Sequence, residues 1–275
     1  MSDNSKLILV IGGACGIGNA TTSVLLSKSY RVICADINYE KLGEIKTNYK
    51  DQFENQLFTY YLDITDRNSV SKCLSWIKNE FASLDSIVIS AAVHSAHPVE
   101  FLSDETIDRV ININLTAHIK LIRDALPVIK DGGSIIGISS IAAGLGVPMS
   151  SMYSASKAGL EGFYESMSAE VSYRNIKTIL IHPGNVNTGF NETGNEYRPT
   201  GNSFVDAGYQ RVVAGIDSSK GMDPNDVAKV IADAIQTRSP KFCYIVGMNA
   251  LKAHWAKRLL GRELALKLMA KFFGF

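Results

Sequence analysis

Short runs of apolar and β-branched residues recur along this 275-residue chain, and each is followed by a polar or glycine-rich turn. The runs are apolar throughout rather than alternating, which is typical of parallel strands covered by helices on both faces. We therefore predict an α/β fold with a doubly wound parallel sheet of about seven strands. The predicted strands are Leu7–Ile11, Arg31–Asp36, Phe58–Leu62, Ser86–Ser90, Ser134–Ser140, Thr178–Ile181 and Phe242–Val246.

Helical patterns separate these strands, and one long connection has no regular pattern. The segment from Thr188 to about Gly221 is polar and glycine-rich. A connection of this length within a compact domain is usually a functional lid or a mobile loop. The predicted helices are Ala20–Lys28, Ser69–Phe81, Ile107–Lys130, Ser151–Tyr173 and Asp223–Thr237.

The composition is that of a globular chain with a large core. Hydrophobic residues make up 46% of the sequence, and a formal net charge of +1 excludes a general attraction to nucleic acid. Four widely spaced cysteines favour reduced thiols over a disulfide framework. The first residues are polar and no stretch approaches the length of a bilayer-spanning segment, so we expect a cytoplasmic protein.

A glycine-rich turn joins the first predicted strand to the first helix. Gly12, Gly16 and Gly18 fall in this turn, with Cys15 and Ile17 between them. Strand, glycine turn and helix together aim backbone N–H groups and a helix N-terminus at a phosphate. The alternative is a glycine turn that binds no ligand.

An acid, Asp36, ends the second predicted strand and is followed by Ile37. In dinucleotide-binding folds an acid at this place hydrogen-bonds the adenosine ribose and repels a 2′-phosphate. Because no base stands at Cys15 or directly after Asp36, the pattern favours NAD over NADP. An ordinary turn or helix-capping aspartate is the alternative.

A tyrosine and a lysine lie four positions apart, on one face of a predicted helix, and a serine precedes the tyrosine by thirteen positions. These residues are Ser140, Tyr153 and Lys157. A phenol has a pKa near ~10, and a nearby ammonium lowers it by favouring the phenolate. A serine hydroxyl beside the phenol can hold a substrate oxygen. The pattern predicts an acid–base site for a hydroxyl/carbonyl pair, although this tyrosine–lysine spacing alone is common by chance.

The residues around this candidate site are mainly apolar, which predicts a hydrophobic secondary alcohol or ketone as substrate, with steroid-like and retinoid-like molecules as candidates. His94 and His97 have a spacing found in metal sites, but no cysteine or acid cluster accompanies them, and we expect no metal. The predicted substrate contacts are His94, Ile141, Val147, Met149 and Met152.

The last 25 residues form a unit of their own, so we divide the chain into a domain of residues 1–250 and a tail of residues 251–275. Apolar residues recur every fourth position in this tail, and six bases face one acid between 252 and 275, a net charge of +5. Two alternatives remain: an amphipathic helix packed on its own domain or a partner subunit, or a helix resting peripherally on a membrane surface.

Taken together, these motifs resemble the short-chain dehydrogenase/reductase superfamily over about residues 5–247. The resemblance implies a Rossmann-type fold, a homodimer or homotetramer formed through residues 107–130 and 153–173, and a tail like those of steroid- and retinol-type members. It also implies Tyr153 as catalytic acid/base, Lys157 lowering the pKa of Tyr153, Ser140 orienting substrate, and Asn114 holding a relay water. The implied cofactor-binding residues are Gly12, Cys15, Gly16, Ile17, Gly18, Asp36, Ile37, Asp63, Ile64, Ala91, Ala92, Tyr153, Lys157, Pro183, Gly184, Val186 and Thr188.

Two departures from the family pattern concern the cofactor pocket. Ile11 stands where a threonine is usual, and the segment Ile89–Ala92 replaces the usual Asn-Asn-Ala-Gly. The catalytic residues are unchanged. We therefore expect an NAD(H)-dependent oxidoreductase. The alternatives are an NADPH-dependent carbonyl reductase and a catalytically silent NAD-binding scaffold.

Overall fold

The computed structural model describes residues 5–190, 199–215 and 221–275. Its centre is a seven-stranded sheet in the order β3-β2-β1-β4-β5-β6-β7, in which each neighbouring pair is parallel. Strand order reverses beside β1, which makes the sheet doubly wound and confirms the predicted fold class. The strands are β1 (Leu7–Ile11), β2 (Arg31–Asp36), β3 (Leu57–Tyr61), β4 (Leu84–Ile89), β5 (Ile129–Ile138), β6 (Lys177–Pro183) and β7 (Cys243–Val246).

Helices cover both faces of this sheet. They are α1 (Gly16–Ser27), α2 (Tyr39–Phe53), α3 (Arg67–Phe81), α4 (Asp104–Ile111), α5 (His118–Ala125), α6 (Ile141–Gly144), α7 (Ser151–Glu170), α8 (Ser203–Gly215), α9 (Pro224–Gln236) and α10 (Met248–Phe273).

The two faces of β1 show how the strands divide the core. Leu7, Leu9 and Ile11 point to one face and pack with buried residues of α3, α5 and α7. Ile8 and Val10 point to the other face and pack with α1 and α9. Side chains of a strand alternate between faces, so a sheet with helices on both sides needs strands that are apolar at successive positions.

The predicted strands lie within two residues of the observed bounds except at β5, which begins at Ile129 rather than Ser134. The helical segment predicted to reach Lys130 ends earlier, in a 3-10 turn (Leu126–Val128) that contains Pro127, because proline cannot continue the hydrogen bonding of a helix. Gly132, which follows the predicted helix closely, lies inside β5 with φ of 78°, where the register against β4 shifts.

Besides the four-residue helix α6, two helices lie where the sequence pattern did not indicate them. One is α2, whose N-cap Asn38 accepts a hydrogen bond from the backbone N–H of Lys41 at 3.0 Å. The other is α8, inside the connection predicted to be a lid or loop. Residues 191–198 and 216–220 of that connection lie outside the described residues.

Helix α8 is held by the end of α10. Arg211 of α8 donates hydrogen bonds to the carbonyl oxygens of Phe273 at 2.9 Å and Gly274 at 3.0 Å. A Cβ added to Gly208 would meet the ring of Phe275 at 2.3 Å, so the glycine leaves room for that ring. This long-range packing explains why local patterns do not reveal α8.

The tail, α10, consists of two helical halves joined by a kink at Gly261, whose φ of 74° and ψ of 164° are not helical. Within the described ranges, we find no helix with the length and hydrophobicity needed to cross a bilayer.

A buried histidine makes the stability of the fold depend on pH. His118 lies 3.0 Å through Nε2 from the Tyr164 hydroxyl, and burial, aided by the charge of Lys157, lowers the pKa of His118 to about 3. The unfolded chain binds a proton on this ring near pH 6.5, so it holds more protons than the folded chain between these two values. Stability therefore rises with pH across that window and falls on acidification.

We expect the free energy of unfolding in urea to decrease from pH 6.5 to pH 5, and His118→Gln to reduce that slope. His254→Gln is the control, since that ring is exposed. Equal slopes in the wild type and His118→Gln would remove His118 from this role.

Candidate active site

The predicted site residues meet at one edge of the sheet. All the strands are parallel, so their carboxyl ends lie together, and ligands of such sheets bind outside that edge. The glycine turn follows β1, Asp36 ends β2, Ala91 follows β4, Ser140 follows β5 and Pro183 ends β6.

The glycine turn is shaped by close approaches that exclude a side chain. Gly12 has φ of 71°, and a Cβ there would lie 2.7 Å from the backbone nitrogen of Ala91. Gly16 has φ of 49°, and its Cβ would lie 2.9 Å from the Cβ of Thr188. Both positions require glycine on conformational and steric grounds.

Helix α1 presents its amino end to this cradle. Its N-cap Cys15 makes no side-chain capping hydrogen bond, and the first turn contains no acid. The first N–H groups of a helix have no intrahelical partner and attract anions. This turn and helix end together fit the phosphates of a dinucleotide.

Asp36 braces the same turn. Its carboxylate is 6% exposed, and its two oxygens accept from the backbone N–H of Ala14 at 3.0 Å and of Asn38 at 2.9 Å. Each oxygen keeps further acceptor capacity, so a ribose hydroxyl fits beside it.

A lysine that the sequence analysis missed lies beside this turn. The Nζ of Lys41 lies 3.3 Å from the Sγ of Cys15, although the two residues are 26 positions apart. Lys41 lies in the first turn of α2. Because it is neither in the glycine turn nor directly after Asp36, the sequence pattern does not indicate this contact.

Ser140, Tyr153 and Lys157 converge beyond β5. Ser140 caps α6 by accepting from the N–H of Ala142 at 3.2 Å, and its hydroxyl interacts with the half-buried Tyr153 phenol. The Nζ of Lys157 lies 5.7 Å from the Tyr153 ring centroid and donates to the carbonyl oxygen of Ile138 at 2.7 Å. Helix α7 therefore carries both residues on one face, and Lys157 ties that face to the end of β5.

Burial dominates the protonation of this group in the chain alone. Burial raises the pKa of Tyr153 to about 12, although the hydrogen bond of the Ser140 hydroxyl acts in the opposite direction. Burial also lowers the pKa of Lys157 to about 8. Lys157 does not contribute to the shift of the Tyr153 pKa in the chain alone, where its ammonium is bonded to the carbonyl oxygen of Ile138, so the lowering of that pKa by Lys157 stays a prediction. A phenolate at neutral pH requires further positive charge at this site.

Asn114 positions the loop after β4. It is fully buried in a π-helical turn (Asn112–Ala117), and its Oδ1 accepts from the N–H of Val93 at 2.8 Å. Its Nδ2 donates to the carbonyl oxygen of Val93 at 2.9 Å and to Ser156 Oγ at 3.2 Å. Both amide hydrogens are used within the protein, so they cannot serve the implied relay water, which stays a prediction.

Aromatic rings enclose the Tyr153 phenol on the substrate side. The ring of His94 lies 5.0 Å from that of Tyr153, and Phe190 lies 6.0 Å from Tyr153 and 6.1 Å from His94. His94 contacts Ser150 Oγ at 3.2 Å through Nε2, and burial lowers the pKa of His94 to about 4, so this ring is neutral at neutral pH. Phe190 lies within the connection predicted to be a lid or loop, but nothing in its local pattern indicates this contact.

Met149 has a strained backbone beside these rings. Its φ of 61° is unusual for a residue with a side chain, and its carbonyl oxygen accepts from the N–H of His97 at 2.7 Å. This bond ties the loop before α7 to the loop after β4. The side chains of Ile141, Val147, Met149 and Met152 are all half-buried.

The remaining predicted cofactor residues differ in which of their atoms could contact a ligand. Ile64 and Val186 are buried among core residues, so only their backbones suit a ligand, whereas Ile37 is exposed. Asp63 Oδ1 accepts from the backbone N–H and the hydroxyl of Thr65 at 2.8 and 2.7 Å, so a further ligand would use Oδ2. Among the described residues, no three His, Cys, Asp or Glu side chains form a candidate metal site.

Comparison with known proteins agrees with this geometry. A family model described as short chain dehydrogenase matches residues 6–198. The 3-oxoacyl-(acyl-carrier-protein) reductase FabG of Thermotoga maritima is 30% identical over 68% of this chain and 76% of its own. Retinol dehydrogenase 8 of Bos taurus is 28% identical over 87% of this chain and 81% of its own.

Among solved structures, a short chain dehydrogenase/reductase from Burkholderia phymatum in complex with NAD superposes with a TM-score of 0.81 at 18% identity, covering 94% of this chain and 96% of the other. The fold is therefore shared, and the family match extends over most of the catalytic edge. The chain belongs to the short-chain dehydrogenase/reductase family.

Proposed function

We propose that this oxidoreductase interconverts a hydrophobic secondary alcohol and its ketone with NAD(H), using Tyr153 as the acid–base group. The observation that carries the proposal is the convergence of Ser140, Tyr153 and Lys157 beside the glycine turn, at the edge where β5 ends. A bound nicotinamide supplies the hydride chemistry. The protein supplies position and proton transfer.

Each of the three residues has a separate task in this proposal. The Ser140 hydroxyl orients the substrate oxygen beside the phenol. Tyr153 donates its proton to the developing alkoxide when a ketone is reduced, and it accepts the alcohol proton in the reverse direction. Lys157 holds the ribose next to Tyr153. The proposal thus uses the protonated phenol in ketone reduction and the phenolate in alcohol oxidation.

The surroundings of Tyr153 support an apolar substrate. Phe190 and the half-buried side chains of Met149 and Met152 provide apolar contact. His94 adds one polar group, since its Nδ1 is buried without a hydrogen-bond partner among the described residues. We propose that this nitrogen bonds a second oxygen of the substrate. The kinship with retinol dehydrogenase 8 supports a bulky apolar alcohol.

NAD is the proposed cofactor because of Asp36, and Lys41 supports the second candidate, NADP(H). A carboxylate at the end of β2 repels a 2′-phosphate, whereas the Lys41 ammonium beside Cys15 would attract one. Asp36 is fixed by two backbone N–H groups, and Lys41 is exposed and carries greater conformational freedom. The buried carboxylate therefore supports NAD as the proposed cofactor.

The Tyr153→Phe variant tests the acid–base role. We expect NADH affinity to stay within about twofold, because the ring is kept, and kcat to fall by about 10³-fold or more, because the proton donor is lost. The measurement is NADH absorbance during reduction of a panel of apolar ketones. Tyr173→Phe, at an exposed position, is the matched control.

Two outcomes would count against this role. A variant that keeps a large part of the wild-type rate would exclude Tyr153 as the acid. A wild-type protein that binds NADH but turns over no member of the panel in either direction would favour the catalytically silent scaffold.

Fluorescence titration with NADH and NADPH tests the cofactor. We expect the wild type to bind NADH at least about tenfold more tightly than NADPH. Asp36→Asn should reduce this ratio of affinities, because it removes the charge that repels the 2′-phosphate. Lys41→Gln should weaken the binding of NADPH and leave the binding of NADH unchanged. Lys46→Gln, in the same helix, is the control. Tighter binding of NADPH by the wild type, lost in Lys41→Gln, would favour the NADP(H) reductase instead.

A further inference from the structure

Helix α10 packs against the body with small side chains and with Phe273, and it exposes most of its other large apolar side chains. Ala250 and Ala265 are buried, at 0% and 3% exposure. Leu259 and Phe272 are 75% and 76% exposed, and Trp255 is 47% exposed. A helix packed only on its own domain buries its large apolar residues, so this arrangement is the reverse of the usual one.

Six exposed apolar residues form two rows, one in each half of α10, and Met248, Leu260 and Leu266 are exposed outside these rows. Leu251, Trp255 and Leu259 recur every fourth position before Gly261, and Leu264, Leu268 and Phe272 do so after it. Residues four apart lie on one face of a helix. Each half of α10 therefore presents a continuous apolar strip, which we call the apolar face of α10.

Helix α10 is fixed to the body at both ends. The first turn of α10 follows β7 directly and buries Ala250, and Arg211 of α8 donates to the carbonyl oxygens of Phe273 and Gly274. Phe273 is itself buried, at 7% exposure. The apolar face is thus presented by an anchored helix.

Basic side chains accompany the apolar face. Lys252, Arg258, Arg262 and Lys271 are exposed and form no ion pair with any described residue. Glu263, the acid of this segment, is bonded to Lys267 at 3.0 Å. Residues 252–275 carry a net charge of +5, six bases against one acid, while the whole chain carries +1.

The net charge of residues 252–275 indicates which kind of surface covers the apolar face. Two copies of α10 placed face to face would bring two charges of +5 together, which disfavours a symmetric contact. An anionic lipid surface offers both opposite charge and an apolar layer just below its headgroups. Trp255 suits that boundary, since indole rings prefer the headgroup level.

We propose that α10 binds the surface of an anionic lipid bilayer, with its apolar face in the headgroup region and its exposed bases on the lipid phosphates or carboxylates. The protein then lies on one side of the bilayer, in accord with the absence of a spanning helix from the described residues.

Co-sedimentation of the full chain with vesicles tests the proposal. We expect binding to mixed phosphatidylcholine/phosphatidylserine vesicles, and a loss of affinity of about tenfold or more in the Leu259→Ser/Leu264→Ser/Phe272→Ser variant. The control replaces three exposed apolar residues elsewhere, Tyr39→Ser/Val99→Ser/Tyr173→Ser, and should bind as the wild type does. Circular dichroism checks that the variants are folded. If the triple variant unfolds, the single variant Leu259→Ser takes its place in the co-sedimentation assay.

The charge is tested separately. Each base near an anionic surface contributes about 1 kcal/mol, so Arg258→Gln/Arg262→Gln/Lys271→Gln should weaken binding to the mixed vesicles by about 100-fold. Binding of this variant to pure phosphatidylcholine vesicles should match that of the wild type. Lys46→Gln/Lys72→Gln/Lys120→Gln removes the same charge from other exposed sites and should have little effect.

Three results would overturn the proposal. One is no binding of the intact protein to the mixed vesicles. Another is binding that persists unchanged in the α10 variants. The third is self-association without vesicles, measured by sedimentation velocity and abolished by the apolar triple variant, which would assign the apolar face to a second copy of the chain.

Discussion

The hydrogen bond from the Lys157 ammonium to the carbonyl oxygen of Ile138 is the contact on which the site depends. It is 2.7 Å long and buried, and it joins the catalytic face of α7 to the end of the central strand β5. A buried cation costs free energy unless it is bonded, so Lys157 can remain in the core only through such a partner. Burial lowers the pKa of Lys157 to about 8, because it disfavours the charged form of the side chain.

The same bond explains the state of the phenol. With its ammonium engaged at Ile138, Lys157 lies 5.7 Å from the Tyr153 ring and does not offset desolvation of the phenol. The protonated phenol is therefore the resting form of the chain alone. In the proposed mechanism, a positively charged nicotinamide bound beside Tyr153 would lower the pKa of the phenol.

A second constraint is the packing of loops against one another at the sheet edge. Asp36 holds the glycine turn to β2, Gly12 abuts Ala91, Gly16 abuts Thr188, and Asn114 holds Val93. These contacts join elements far apart in the chain into one rigid cradle.

The sequence by itself determined the α/β class, the strands and the residues that gather at their carboxyl ends. These follow from local signals: apolar runs, glycine turns and a tyrosine and lysine one helical turn apart. Tertiary structure decided the rest. It brought Lys41 to Cys15 and Phe190 to Tyr153, it formed α8 against Arg211 and Phe275, and it turned the small residues of α10 inward. None of these has a local signal, because each depends on which distant surface a side chain meets after the chain has folded.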